Sequence, residues 1–179
     1  MGLLHGTRGH PLHPPLTDAA IGMYTLAAAL AVIGAFGGME DATGKGMWLA
    51  LLGGLAAGAA AAVTGLLDWL QIESGTQLRR TATVHMLVMV SATVLFVIAA
   101  IVQYDGFHDG RVVTAGLVLT LVAFVILLFG GWIGGSLVFV YGMRVVGDEE
   151  SSFERAVSPT GHSDDARSPE ARRAARPTA

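Results

Sequence analysis

Histidine is the side chain best suited to chemistry in this sequence, and its placement is uneven. One group of polar residues reads His10-Pro11-Leu12-His13-Pro14-Pro15, followed by Thr17 and Asp18. A second is Asp68-Trp69, and a third is Arg79-Arg80-Thr81 followed by His85. Neutral imidazole ligates haem iron and other metals and carries protons near neutral pH. A carboxylate beside it can orient the ring. The chain has no Cys, which excludes disulfides, thiolate metal sites, iron–sulfur ligation and covalent c-type haem attachment. His5 and His162 lie toward the two ends. His108 stands beside Asp105 and Asp109, a spacing that suits a solvated turn with at most a weak cation site.

Three readings of the main cluster follow from these residue types. In the first, His85 with His10 or His13 ligates a metal or the iron of haem b. In the second, a His/Asp pair lines a quinone or proton site. In the third, the same groups are structural: they cap helices, bond one another and pin the N-terminal segment under the rest of the chain, with Asp18 and Thr17 placed as an N-cap. Proline favours extended or polyproline backbone, which would put His10 and His13 on one face but about 9 Å apart at about 3.1 Å per residue. That separation is long for two ligands of one ion, so a pairing of one of them with His85 is geometrically easier. Asp68 and Asp18 are the carboxylates expected near His85. No HExxH or clustered-ligand pattern is present, and no residue stands out as catalytic.

The elements that must position these residues are written in the missing charges. Residues 19–39, 46–67, 81–104 and 112–143 contain no Asp, Glu, Lys or Arg. A helix needs about 20 apolar residues to cross a bilayer, and an open chain in hydrocarbon must be helical to satisfy its backbone. The expected fold is therefore an all-α integral membrane protein, a four-helix transmembrane bundle running up-down-up-down because the connections are short. Its parts are an N-terminal Pro/His segment over residues 1–17, a helical domain over 18–146 with spans near 18–39, 46–69, 81–104 and 112–143, and a polar tail over 147–179 expected to be disordered. The fourth run is longer than one crossing needs, so a tilt, bend or projection is expected there. The first 16 residues have no apolar stretch like that of a signal peptide, so the first span is expected to serve as its own insertion signal. No internal repeat is evident along the sequence; the two halves share length and little else.

Up-down topology brings the three polar groups to one membrane face whichever way the chain is inserted. With both termini inside, the inner face carries Arg8, Arg79, Arg80, Arg144 and Arg155 against Lys45 and Arg111 outside, which favours cytoplasmic termini in the cell (inner) membrane. Trp48 and Tyr104 then mark the outer boundary, Trp69 and Tyr141 the inner. Charged residues make up only 14% of the chain and its basic residues are dispersed, which excludes a nucleic-acid surface. Gly54 with Gly58, Gly130 with Gly134, and Gly131 with Gly135 form small-residue pairs that let helices approach closely. They serve either packing within one bundle or a homodimer contact.

Several of these stretches together resemble one family. HPLHPPLTDAAIG (10–22), the Asp68-Trp69 pair, Arg79-Arg80 with His85, and GGWIGGSLVFVYGMRV (130–145) are similar to the bacterial predicted membrane proteins called domain of unknown function 2231. The resemblance runs from about Arg8 to Gly147. Many relatives have Pro where this chain has Ala20. Family members occur joined to Rieske or cytochrome-type modules, so the resemblance implies association with membrane electron transfer. It places His10, His13, Asp68 and His85 at the family's polar positions without assigning their roles. Two functions are expected on these grounds. One is a redox-associated protein with a haem, metal or quinone at the inner-face cluster, working within a redox membrane complex. The other is a non-catalytic membrane subunit or scaffold that packs through its Gly-rich faces.

Overall fold

A computed structural model describes residues 11–145, and His10 and the tail from 146 onward lie outside the described residues. Four helices follow in order: α1 (His13–Ala35), α2 (Glu40–Leu70), α3 (Gln77–Asp109) and α4 (Thr114–Phe139). Leu12–Met143 form one compact unit. Each helix is long and apolar enough to cross a membrane. Their outward faces carry Leu26, Val63, Val90, Val94, Val125, Phe129 and Trp132, all exposed. So much apolar surface on a folded chain requires an apolar solvent, and these faces meet lipid.

Within that unit α1 packs on α2, α2 on α3, α3 on α4 and α4 back on α1, closing an antiparallel ring. The most extensive contacts are α1 on α2 and α3 on α4, so the bundle is two hairpins laid side by side. The core is built of small residues. Ala27, Ala31, Ala99 and Ala123 are fully buried, with Met47, Leu51 and Phe96 filling between them. Lipid tails give helices no hydrophobic reason to associate, so close backbone approach over Ala and Gly supplies the packing.

Helix ends depart from the sequence expectation in ways that matter for the site. Residues 13–17 are helical, not extended, and α1 starts at His13 with Pro14 and Pro15 in its first turn. Proline is tolerated there because the first-turn N–H groups have no intrahelical acceptor. Leu12, not Asp18, is the N-cap; Thr17 donates to the Pro14 carbonyl at 2.6 Å, and Asp18 is exposed. α3 has a side-chain cap, in which the Thr76 hydroxyl accepts from the Arg79 N–H at 3.1 Å. α4 stops at Phe139, so the long fourth apolar run exceeds its helix and no bend is needed to fit it.

The hairpins also repeat one another, contrary to the reading of the sequence. Along α1 and α3 the pairs His13/His85, Ala20/Ala92, Tyr24/Phe96, Ala27/Ala99, Ala28/Ala100, Ala31/Gln103 and Gly34/Gly106 share a single offset of 72 positions. From Ala20/Ala92 to Ala31/Gln103, both members of every pair are buried. Along α2 and α4 an offset of 69 relates Met47/Gly116, Leu51/Thr120, Gly54/Ala123, Ala61/Gly130 and Asp68/Leu137, and again both members of each are buried. Five of the seven pairs along α1 and α3 are identities, and none of the five along α2 and α4 is. In the second set the repeat lives in position and burial alone, which similarity of residue types does not reveal.

Candidate functional site

The candidate site lies at the end of the bundle where α1 and α3 begin and α2 and α4 finish. His13, at the first residue of α1, points onto α2. Its Nδ1–H donates to the Ala61 carbonyl at 2.9 Å, and the Thr64 hydroxyl lies 3.4 Å from the same nitrogen. The ring rests on Gly65, where a Cβ would come within 2.7 Å of His13 Cε1. His85, in the third turn of α3, points onto α4 in the same manner. Its Nδ1–H donates to the Gly130 carbonyl at 2.9 Å, and the ring rests on Gly134, where a Cβ would come within 2.9 Å of His85 Cε1. In both hairpins the accepting carbonyl stands four residues before the glycine seat. Both rings therefore sit at the same end of the bundle, one on each hairpin.

An imidazole whose Nδ1 carries the proton has a bare lone pair on Nε2. Bonding of Nδ1–H to a backbone carbonyl is the usual support of a metal-ligating histidine, because it fixes both tautomer and ring orientation. Among the described residues His13 and His85 are held by backbone carbonyls rather than by a carboxylate. The expected pairing of His85 with Asp18 or Asp68 is replaced by the Gly130 carbonyl.

Asp68 is buried one turn below Thr64, on the same stripe of α2 that holds Ala61 and Gly65. Tyr24 closes the other side of the site. Its ring stacks flat on Phe96 at 3.7 Å, joining α1 to α3 across the diagonal of the ring of helices. Gly54 makes room for the Tyr24 ring, and Gly58 faces its hydroxyl. That hydroxyl is buried and has no hydrogen-bond partner among the described residues. Gly58 precedes Ala61 by about one turn of α2, so the unpartnered oxygen lies about one turn from the carbonyl that holds His13. Tyr24, Thr64 and Gly65 were not singled out from the sequence. The signal for Tyr24 was available, since it follows His13 by the same interval as Phe96 follows His85.

The other candidates fall elsewhere. Gly130 abuts Met89 and Val88 of α3, whereas a Cβ on Gly131 would meet nothing and one on Gly135 only Phe139 of its own helix. Gly54, Gly58, Gly130 and Gly134 thus face side chains of their own bundle, and Gly131 and Gly135 face away from it. Arg79 spans the α2–α3 turn, stacked over the Trp69 ring at 3.5 Å and donating to the Trp69 and Ile72 carbonyls, while the Trp69 indole N–H donates to Thr83. Thr81 and Tyr141 share a hydrogen bond at 3.2 Å. At the opposite end, His108 packs edge-on against Tyr104 and Phe107, with Trp48 against both aromatic rings. Among the described residues no three His, Asp or Glu side chains come together as a metal site.

Comparison with known proteins gives one positive result. No curated protein and no solved structure matches the chain. Residues 9–147 match the predicted membrane protein family DUF2231, so most of the chain, including all four helices and both imidazoles, is accounted for, and the protein belongs to that family.

Proposed function

We propose that this multi-pass membrane protein holds a redox cofactor at the His13/His85 pair and serves membrane electron transfer. One observation carries the reading. Each hairpin fixes one imidazole through Nδ1 on a backbone carbonyl and over a glycine, leaving Nε2 bare. Holding two half-buried imidazoles at one end of an apolar bundle is costly, and polar groups placed inside a membrane protein tend to serve function. The residues fit an iron-containing cofactor of the haem type. Neutral imidazoles are suitable donors, the glycine seats let both rings lie close on their helices, and the Tyr24 hydroxyl, buried without a partner among the described residues, is a donor on the same side of the bundle. The cofactor would supply the electron-accepting centre. His13 and His85 would hold it, Gly65 and Gly134 would set the angle of their rings, and the apolar faces would keep water away.

The charge distribution supports an orientation with the site at the cytoplasmic face of the cell membrane, near the inner-face Arg79 and Arg80. A redox partner complex in the same membrane would deliver or take the electron. Purification from cells supplied with haem should give a visible spectrum that changes on reduction with dithionite and is absent in the His13→Ala/His85→Ala double variant. A colourless, iron-free wild type prepared in the same way rejects the reading.

A further inference from the structure

The two imidazoles are more than neighbours. They are the same position in two copies of one unit. His13 and His85 stand at one offset with six further pairs, their acceptors Ala61 and Gly130 and their seats Gly65 and Gly134 stand at a second, and both bonds are 2.9 Å long. α1 and α3 run in the same direction, so the operation relating the hairpins is a rotation about an axis along the bundle, as in parallel repeats of membrane proteins. The Tyr24–Phe96 stack lies on that axis, because each ring is the counterpart of the other and they meet face to face, 3° from parallel.

We infer that the chain is a tandem duplication of one histidine-bearing hairpin, and that its ligand sits on the axis between the copies, with His13 and His85 as the two equivalent axial ligands of a single planar tetrapyrrole iron. The inference rests on the cofactor reading above and narrows it. Two imidazoles related by a two-fold axis offer two equivalent donors, one from each side of the axis, and no more. Among the described residues no third ligand joins them. A bare ion of the kind imidazole binds asks for four or more donors. A centre that brings four donors of its own in one plane and leaves two opposed positions open is completed by this pair and by nothing less.

The copies differ where the ligand would meet them. Tyr24, Gly58 and Asp68 on the first hairpin are matched by Phe96, Leu127 and Leu137 on the second. One flank of the axis is polar and the other apolar, so a ligand with one polar edge takes a single orientation.

The experiment is optical and EPR spectroscopy of haem-supplied protein in detergent: wild type, His10→Ala, His13→Ala and His85→Ala. The expected result is a six-coordinate low-spin wild type and His10→Ala variant. His13→Ala and His85→Ala should each shift to five-coordinate high-spin iron to the same extent, and added imidazole should restore the low-spin form in both. Circular dichroism and size-exclusion profiles matched to wild type show that the variants fold, and the imidazole rescue itself reports an intact pocket. Iron that responds to only one of the two substitutions, or to His10→Ala, overturns the axial arrangement while the cofactor reading stands. A wild type that takes up no haem removes both.

Discussion

At the residue scale, the site depends on what is missing from two α-carbons. A methyl at Gly65 would press on His13, and one at Gly134 on His85, at 2.7 and 2.9 Å from Cε1. An imidazole held by a hydrogen bond cannot retreat freely, so Gly65→Ala and Gly134→Ala are expected to destabilise the protein by about 1–3 kcal/mol, the range of overpacking in a tight core. Gly131→Ala makes the contrast. Nothing lies within 4 Å of its Cβ position, and it should gain up to about 1 kcal/mol from helix propensity alone. Thermal unfolding of the three variants in one detergent separates steric displacement from a general intolerance of alanine. Tyr24 supplies a second test. Its hydroxyl is buried without a partner among the described residues, so Tyr24→Phe removes a penalty of about 1–3 kcal/mol and should raise the melting temperature. A fall would mean that the hydroxyl is already bonded.

At the scale of elements, the opposite end of the bundle shows how the hairpins are pinned. Gln103 is fully buried on α3. Its Nε2 donates to the Arg111 carbonyl at 2.8 Å, and its Oε1 accepts the Val113 N–H at 3.0 Å, so one side chain closes the turn into α4. Gly116 leaves room for it. Gln103→Leu keeps the volume and loses both bonds, leaving a backbone donor and acceptor unpaired at about 1–3 kcal/mol each. The expected result is a lower melting temperature, with faster amide exchange at Val113 than elsewhere in α4. Unchanged exchange there would show that Gln103 only fills space.

The sequence made the helices legible because lipid imposes a simple rule: charge must be absent for about 20 residues. His85 stood out for the same reason, being the one imidazole inside a charge-free run, and the structure gives it a partner within the bundle. His13 was placed correctly at the same face but in the wrong backbone, because the prolines were read as extending the chain when they begin a helix. The acceptors were not legible. Ala61 and Gly130 act through backbone carbonyls, which no side-chain pattern announces. The carboxylate expected at His85 was the natural guess when only side chains were considered.

At the scale of the whole molecule, the two-fold relation makes a claim about distance that owes nothing to any cofactor. In a ring of four helices the diagonal pair α1 and α3 usually stand apart, and here they meet through the Tyr24–Phe96 stack. Ala20 and Ala92 lie about one turn to one side of that stack, and Ala27 and Ala99 about one turn to the other, all buried. Small residues flanking an aromatic pair let the diagonal helices close on it from both sides. Because the chain has no native cysteine, paired substitutions report without background. Ala27→Cys with Ala99→Cys, and Ala20→Cys with Ala92→Cys, should each be joined within one chain by a short thiol crosslinker. Ala27→Cys with Val94→Cys should not, because Val94 is on the exposed face of α3. Mass spectrometry of the digested protein distinguishes a link within one chain from one between copies. If crosslinks form only between copies, the diagonal helices do not meet across a shared axis, and the repeated burial pattern would then reflect two hairpins packed without the symmetry that makes His13 and His85 equivalent.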